Sequence, residues 1–279
     1  MMKNVKRFLY LLHRWLGVGF ALLFLLWFAS GIVMMYVAFP TLTPLERFEH
    51  APPLDISRVT IGPAAAFALH DIEPGRVDQF RLTSVQGRPA YVVRSVGEQW
   101  RAIFADDGRA LAAVRPVDAE QAAIVFDGKA RSATYLNTLR VDQWTVSGSL
   151  NGHRPLHKVA MSGSEGDIVY VSSRTGQVVR DTTAWERGWN WVGAVVHWIY
   201  PTVLRQQPST WANVVIALSL GGLVSVVSGV VVGFWRLRVK RRYRSGAVSP
   251  FRGWQLWHHL GGLICALFVF TFMFSGLMS

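Results

Sequence analysis

The sequence predicts an α+β membrane protein, with three transmembrane α-helices and one extracytoplasmic domain of α+β units. Two observations carry that reading. Three charge-free apolar runs are each long enough to cross a bilayer, and the cationic residues outside the central region cluster beside them. The chain has 279 residues, of which 51% are hydrophobic and 16% charged. Soluble domains carry about 25% charged residues, so a water-soluble enzyme is excluded. The net charge is +12, but it does not describe a nucleic-acid binder. Residues 41–210 hold all 17 acidic residues and 18 Lys and Arg, and are close to neutral. The remaining positive charges lie at 3–14 and 236–252, beside apolar runs. That is the positive-inside pattern, and it needs only anionic lipid as a partner, with no nucleic acid.

The elements follow in order. Residues 1–14 form a cytoplasmic N-terminus, and 15–39 a first span. That span exceeds the roughly 20 residues needed and lacks a small-residue cleavage site, so it reads as a retained signal anchor. Residues 45–187 form the extracytoplasmic domain, periplasmic in a Gram-negative cell, with the chain in the inner membrane. It contains no cysteine and cannot rely on disulfides; the lone Cys265 lies in an apolar run. Helices are expected at 64–70 and 119–126. Strands are expected at 79–84, 90–96, 99–104, 141–146, 168–172 and 177–180, with turns at Asp106-Asp107-Gly108 and Arg174-Thr175-Gly176. Both halves run helix, then antiparallel strands, as an internal duplication would. Residues 189–204 are aromatic but broken by Pro201, and read as an interfacial helix. A second span at 211–235, a basic cytoplasmic loop at 236–253 and a third span at 256–278 complete the chain.

The spans repeat. A shift of 245 places His13 on His258, Gly17 on Gly262, Ala21 on Ala266, Ser30 on Ser275 and Gly31 on Gly276. Both spans enter from the cytoplasm, so the two histidines lie at similar depth, where one metal between parallel helices takes a nitrogen from each. Gly17, Gly19, Ala21, Gly261, Gly262 and Ala266 permit close approach of a helix or a flat macrocycle. The bland alternative has each imidazole facing headgroups; ionisable residues inside a membrane more often serve function. His259 is rotated about 100° from His258 and remains an alternative. His197, among Trp191, Trp198 and Tyr200, is either a belt residue or an outer ligand. His50 and His70 read as surface residues. His153 and His157 flank Pro155, which argues against a helical pair, and are candidate metal contacts.

No Ser-His-Asp set, paired intramembrane carboxylates, nucleotide-binding glycine pattern or His-Glu-x-x-His motif is present. Neutral imidazoles among aromatic and small residues suit b-type haem. One haem lies between spans one and three near the cytoplasmic face, and a second near His197. Together they form an electron path across the bilayer.

The segments Leu12-His13-Arg14-Trp15-Leu16-Gly17, Ser173-Arg174-Thr175-Gly176-Gln177-Val178-Val179, His197-Trp198-Ile199-Tyr200 and Trp257-His258-His259-Leu260-Gly261 resemble the bacterial PepSY-associated transmembrane family. The resemblance covers essentially the whole chain. It implies PepSY-like units in the periplasmic region, haem ligands at His13, His197 and His258 or His259, and, as in some members, reduction of ferric siderophores. The electron donor is then a quinol or a redox protein. Members usually carry at least one more span, and a ligand on it would lie beyond this sequence. Two other readings stand beside this one. One is a non-enzymatic anchored PepSY module that binds a peptide, peptidoglycan or a partner protein. The other is an accessory subunit of an iron or metal transporter, with His153 and His157 contacting metal.

Overall fold

A computed structural model of the chain describes residues 2–163 and 166–278; Ser279, the end of the third apolar run, lies outside the described residues. The chain divides into two compact units. The membrane unit comprises Met1–Ile32, Val196–Ile199 and Gln207–Ser279, and the α+β unit comprises Val33–Val195 and Tyr200–Gln206.

The first helix, α1 (Met2–Tyr36), runs without a break through the basic N-terminal stretch into the apolar run. Lys and Arg are good helix formers and nothing before Pro40 stops the helix, so no separate N-terminal element forms. Its Leu22, Leu25, Phe28 and Ile32 are exposed. An apolar helix surface of that extent is stable only against lipid or a partner.

In the α+β unit, α2 (Pro44–Glu49) starts at a capping box, in which Thr43 Oγ1 accepts from Glu46 N and Glu46 accepts from Thr43 N. Next come α3 (Pro63–Ala68) and the strands β1 (Val77–Val85), β2 (Arg88–Ser95) and β3 (Arg101–Phe104), an antiparallel meander ordered β1-β2-β3. Gln86 and Gly87 both have positive φ, as the tight turn joining β1 to β2 requires. Alternation along β2 sends Tyr91 and Val93 toward Ala66 and Phe67 of α3, and Ala90 and Val92 toward Trp100 and Phe104.

The second half repeats the order. Helix α4 (Pro116–Asp127) precedes β4 (Ala133–Leu139), β5 (Leu156–Met161), β6 (Ile168–Ser172) and β7 (Val178–Thr182), an antiparallel sheet ordered β4-β5-β6-β7. Ala119 and Ala123 of α4 pack on Val159, Val169, Val171 and Val178. Gly108 and Gly176 take positive φ at the two expected turns.

Three expectations need correction. No strand forms at 141–146; the Asp142 carboxylate instead accepts from Trp144 N and Thr145 Oγ1 in a local turn, which competes with strand pairing. The strands β4 and β5 were not expected, because polar residues at Asn137, Thr138 and His157 interrupt their apolar alternation. Residues 189–204 are not one helix but part of α5 (Ala184–Val192), α6 (Ala194–His197) and α7 (Thr202–Arg205). Breaks fall at Gly193, where a Cβ would stand 3.0 Å from Val33, and at Ile199, whose φ is +52°.

The last two elements are α8 (Pro208–Arg236) and α9 (Trp254–Met278). With α1 they are, among the described residues, the three helices long and apolar enough to cross a membrane. Helix α8 is the packing centre, and its small residues admit side chains from both neighbours. Phe20 lies over Gly221, Phe24 and Met273 over Gly222, His13 over Gly229 and Leu263 over Gly233. The glycines expected to mediate close approach behave differently: a Cβ at Gly17, Gly19, Gly261 or Gly262 would meet nothing within 4 Å.

Candidate functional site

The matched histidines of α1 and α9 come together. The rings of His13 and His258 have centroids 6.2 Å apart and planes 25° from parallel. His13 Nδ1 lies 3.1 Å from the carbonyl oxygen of Ser225 on α8. A carbonyl only accepts, so Nδ1 carries the proton and Nε2 keeps its lone pair, the tautomer in which metal-bound histidines are normally held. His258 is exposed, and its nitrogens have no hydrogen-bond partner among the described residues. Imidazole binds transition metals at about 2 Å, which puts the centroids of two rings sharing one ion about 6 Å apart; the observed spacing fits that arrangement.

His259 is occupied differently. It is buried, Nε2 donates to the Gly233 carbonyl (2.9 Å) and Nδ1 accepts from Ser249 Oγ (2.8 Å). Both nitrogens are engaged in pinning the loop after α8 to the end of that helix. The rotation of about 100° between adjacent helical residues is what separates the two roles.

The surface around the two imidazoles leaves room for a flat tetrapyrrole. Gly17 follows His13 by one turn, and Gly261 and Gly262 follow His258 by one turn. Space is open beside all three. Tyr10 packs on Trp235, and Lys6 and Arg236 lie over the same two rings, so this site lies at the basic end of the membrane unit. The unit contains no Asp or Glu side chain. These residues fit a haem.

His197 occupies the other end of the same unit. Its Nδ1 lies 3.1 Å from the Trp27 carbonyl and 3.2 Å from Ser30 Oγ, which itself donates to Trp27 O. Again Nδ1 is the protonated nitrogen and Nε2 is left as an acceptor. The Trp27 indole N–H is buried without a partner among the described residues. No other imidazole packs against His197 among those residues. Ser30 is 17 residues beyond His13, about 25 Å along α1.

His153 and His157 belong to the α+β unit and are held by different neighbours. His153 stacks on Trp100 (5.2 Å, 11°), with Nδ1 3.3 Å from Ser172 Oγ. His157 Nδ1 lies 2.8 Å from Thr138 Oγ1. Among the described residues no group of three or more His, Cys, Asp and Glu gathers to hold a metal. His50 bonds the Phe126 carbonyl and His70 the Gly108 carbonyl. Sequence reading did not single out Ser225 and Gly229, which orient and seat His13. The signal was the spacing of small residues along α8 at Ser219, Gly222, Ser225, Gly229 and Gly233.

Burial, reinforced by the fields of Arg47, Arg81 and Arg94, pushes His153 down to about 3, while burial raises Asp181 to about 6. The two act in opposite directions. Between about pH 3 and 6.5 the unfolded chain protonates His153 and the native state does not, so stability falls on acidification. Over pH 4 to 6 the native state holds a proton on Asp181 that the unfolded state releases, which offsets part of that loss. We expect thermal unfolding of the purified protein to move to lower temperature between pH 6.5 and 4. In His153→Phe the acid-induced decrease should largely vanish, and in Asp181→Asn it should steepen.

A family model described as the PepSY-associated TM region matches residues 10–279. No curated protein and no solved structure matches the chain.

Proposed function

This chain belongs to the PepSY-associated TM family, and from that membership and the paired imidazoles we propose that it is a b-type haem protein carrying electrons across the membrane. His13 and His258 hold one haem at the basic end, and His197 contributes to a second at the opposite end. The basic ends face the cytoplasm, as positive charge beside short loops favours. The α+β unit is then periplasmic and the membrane is the bacterial inner membrane.

When bound, haem would supply one-electron transfer at a potential tuned by its imidazole ligands and by exclusion of water. The residues of the chain bind and orient. The Ser225 and Trp27 carbonyls accept hydrogen bonds from the Nδ1–H groups of His13 and His197, fixing tautomer and ring direction. Gly229 gives His13 room against α8. His259 and Ser249 hold the loop on which α9 begins. The donor is a quinol or a redox protein, and the acceptor is a periplasmic oxidant. Ferric iron in a siderophore, reduced to the ferrous state by one electron, suits the family resemblance.

The observation that carries this reading is the His13–His258 pair at 6.2 Å with its preset tautomer. A reduced-minus-oxidised absorption spectrum of protein purified after haem-replete expression tests it. The expected result is the difference spectrum of bis-imidazole b-type haem. A flat spectrum leaves an anchored binding module in its place.

A further inference from the structure

We propose that the α+β unit carries an anion-binding cleft in which Arg47 and Arg81 clamp a ligand bearing a carboxylate or phosphate. The ligand's apolar part rests on Phe48, Leu82, Val125 and Phe126. This site is independent of the haem reading and lies wholly within one unit.

The cleft has a volume of about 710 Å³, within the range of small-molecule sites. It opens between α2, β1, α4 and the turn before β7. The strand β1 is an edge strand, paired on one side only with β2, so the cleft is bordered by backbone that no other strand covers. Arg47 comes from α2 and Arg81 from β1. Arg81 Nη2 donates to Gln177 Oε1 (2.7 Å), but its Nε is buried with no partner among the described residues. Arg47 reaches only the Val178 carbonyl, at 3.5 Å.

Two cations therefore face one recess without a carboxylate partner among the described residues. The nearest acidic lining residue, Asp118, is engaged by Arg115 at 2.9 Å. Burial, and after it the charge of Arg47, pulls Arg81 down to about 10, as expected of a half-buried cation beside a second one. Comparison with Arg154 separates this arrangement from an ordinary buried arginine. Arg154 Nη2 donates to the carbonyls of Thr145 (2.5 Å) and Ser147 (3.2 Å), and Nε donates to Asn151. Its donors are met by backbone carbonyls and the Asn151 side chain, whereas the Arg81 guanidinium has Gln177 as its one hydrogen-bond partner among the described residues.

The Arg81 guanidinium is also preset. It lies over the Trp100 ring at 5.1 Å, with Arg94 at 5.2 Å from the same ring. A cation held on an aromatic ring loses less conformational freedom on binding than a solvated one. An arginine fork recognises planar carboxylate and tetrahedral phosphate through paired hydrogen bonds.

The test uses the full chain in detergent, with sodium citrate and inorganic phosphate as probes and chloride at matched ionic strength as control. Titration calorimetry gives binding and thermal unfolding gives the linked stabilisation. Citrate, phosphate or both should bind saturably and raise Tm above the chloride control. Citrate alone assigns a carboxylate ligand, and phosphate alone a phosphate. Arg47→Gln should raise Tm in anion-free buffer, because like-charge repulsion is removed, and should abolish the anion response; a purely structural arginine would lower it. Arg81→Lys keeps the charge without the fork and should weaken binding about tenfold, which also serves if Arg47→Gln does not fold. No saturable binding of either probe, or wild-type binding in both variants, overturns the proposal.

Discussion

Alanine at His13 or at His258 is expected to lower the haem content of the purified protein by more than about tenfold, since loss of an outer-shell partner alone typically costs 10- to 100-fold. His259→Ala is expected to retain haem and to unfold at lower temperature. The difference rests on hydrogen bonding. The rings of His13 and His258 lie 6.2 Å apart, and Nε2 of His13 and both nitrogens of His258 have no hydrogen-bond partner among the described residues, whereas His259 is buried with Nε2 on Gly233 and Nδ1 on Ser249. Removing a buried group that satisfies two partners costs about 1–3 kcal/mol for each partner left unpaired. The haem-to-protein ratio from absorbance, measured beside thermal unfolding, separates the two outcomes. Haem lost from His259→Ala but kept in His258→Ala would reverse the assignment.

Alanine at Gly229 should reproduce much of the His13 defect without touching an imidazole. A Cβ there would stand 2.6 Å from His13 Cε1 and 3.1 Å from Nδ1. The ring has to move, and its bond to the Ser225 carbonyl breaks with it. Gly221→Ala is the matched control. Its Cβ would stand 2.5 Å from Phe20, a comparable overpacking worth about 1–3 kcal/mol, but it is eight residues away, about 12 Å along α8. Both variants should lose stability, and only Gly229→Ala should lose or alter the haem spectrum. Identical spectra for the two would show that the Ser225 contact does not orient His13.

Much of the architecture was legible residue by residue. Runs of 18 or more apolar residues admit few structures besides a spanning helix, and the three runs gave α1, α8 and α9. The turns at Gly108 and Gly176 were readable because glycine is the residue that most readily takes a positive φ. The strand β5 was not readable, since Leu156–Met161 draws its burial from both flanking strands and from α4. Asp142 misled in the other direction, because a carboxylate that bonds its own backbone overrides the β preference of Val141 and Val146.

At the candidate site the register of His13 with His258 was visible as a repeat, because equal depth follows from equal distance to a span end. The register favoured His258 and left His259 as an alternative, and what separates the two was not legible. It depends on which imidazole meets the Gly233 carbonyl and Ser249, groups 26 and 10 residues away in the chain. The role of α8 was also hidden, because the shift-by-245 repeat drew attention to the glycines of α1 and α9, where space is open.

From sequence alone came the class of molecule: the number of apolar helices, their basic flanks and the α-then-strands order of the extramembrane unit. These are local properties, set by hydropathy, charge and turn chemistry within a few residues. Only the tertiary structure decided which helix lies at the centre, which histidine of the pair keeps its nitrogens available and which arginines face a cleft without a counter-ion. Those outcomes depend on contacts between residues far apart in the chain, and periodicity carries no information about them.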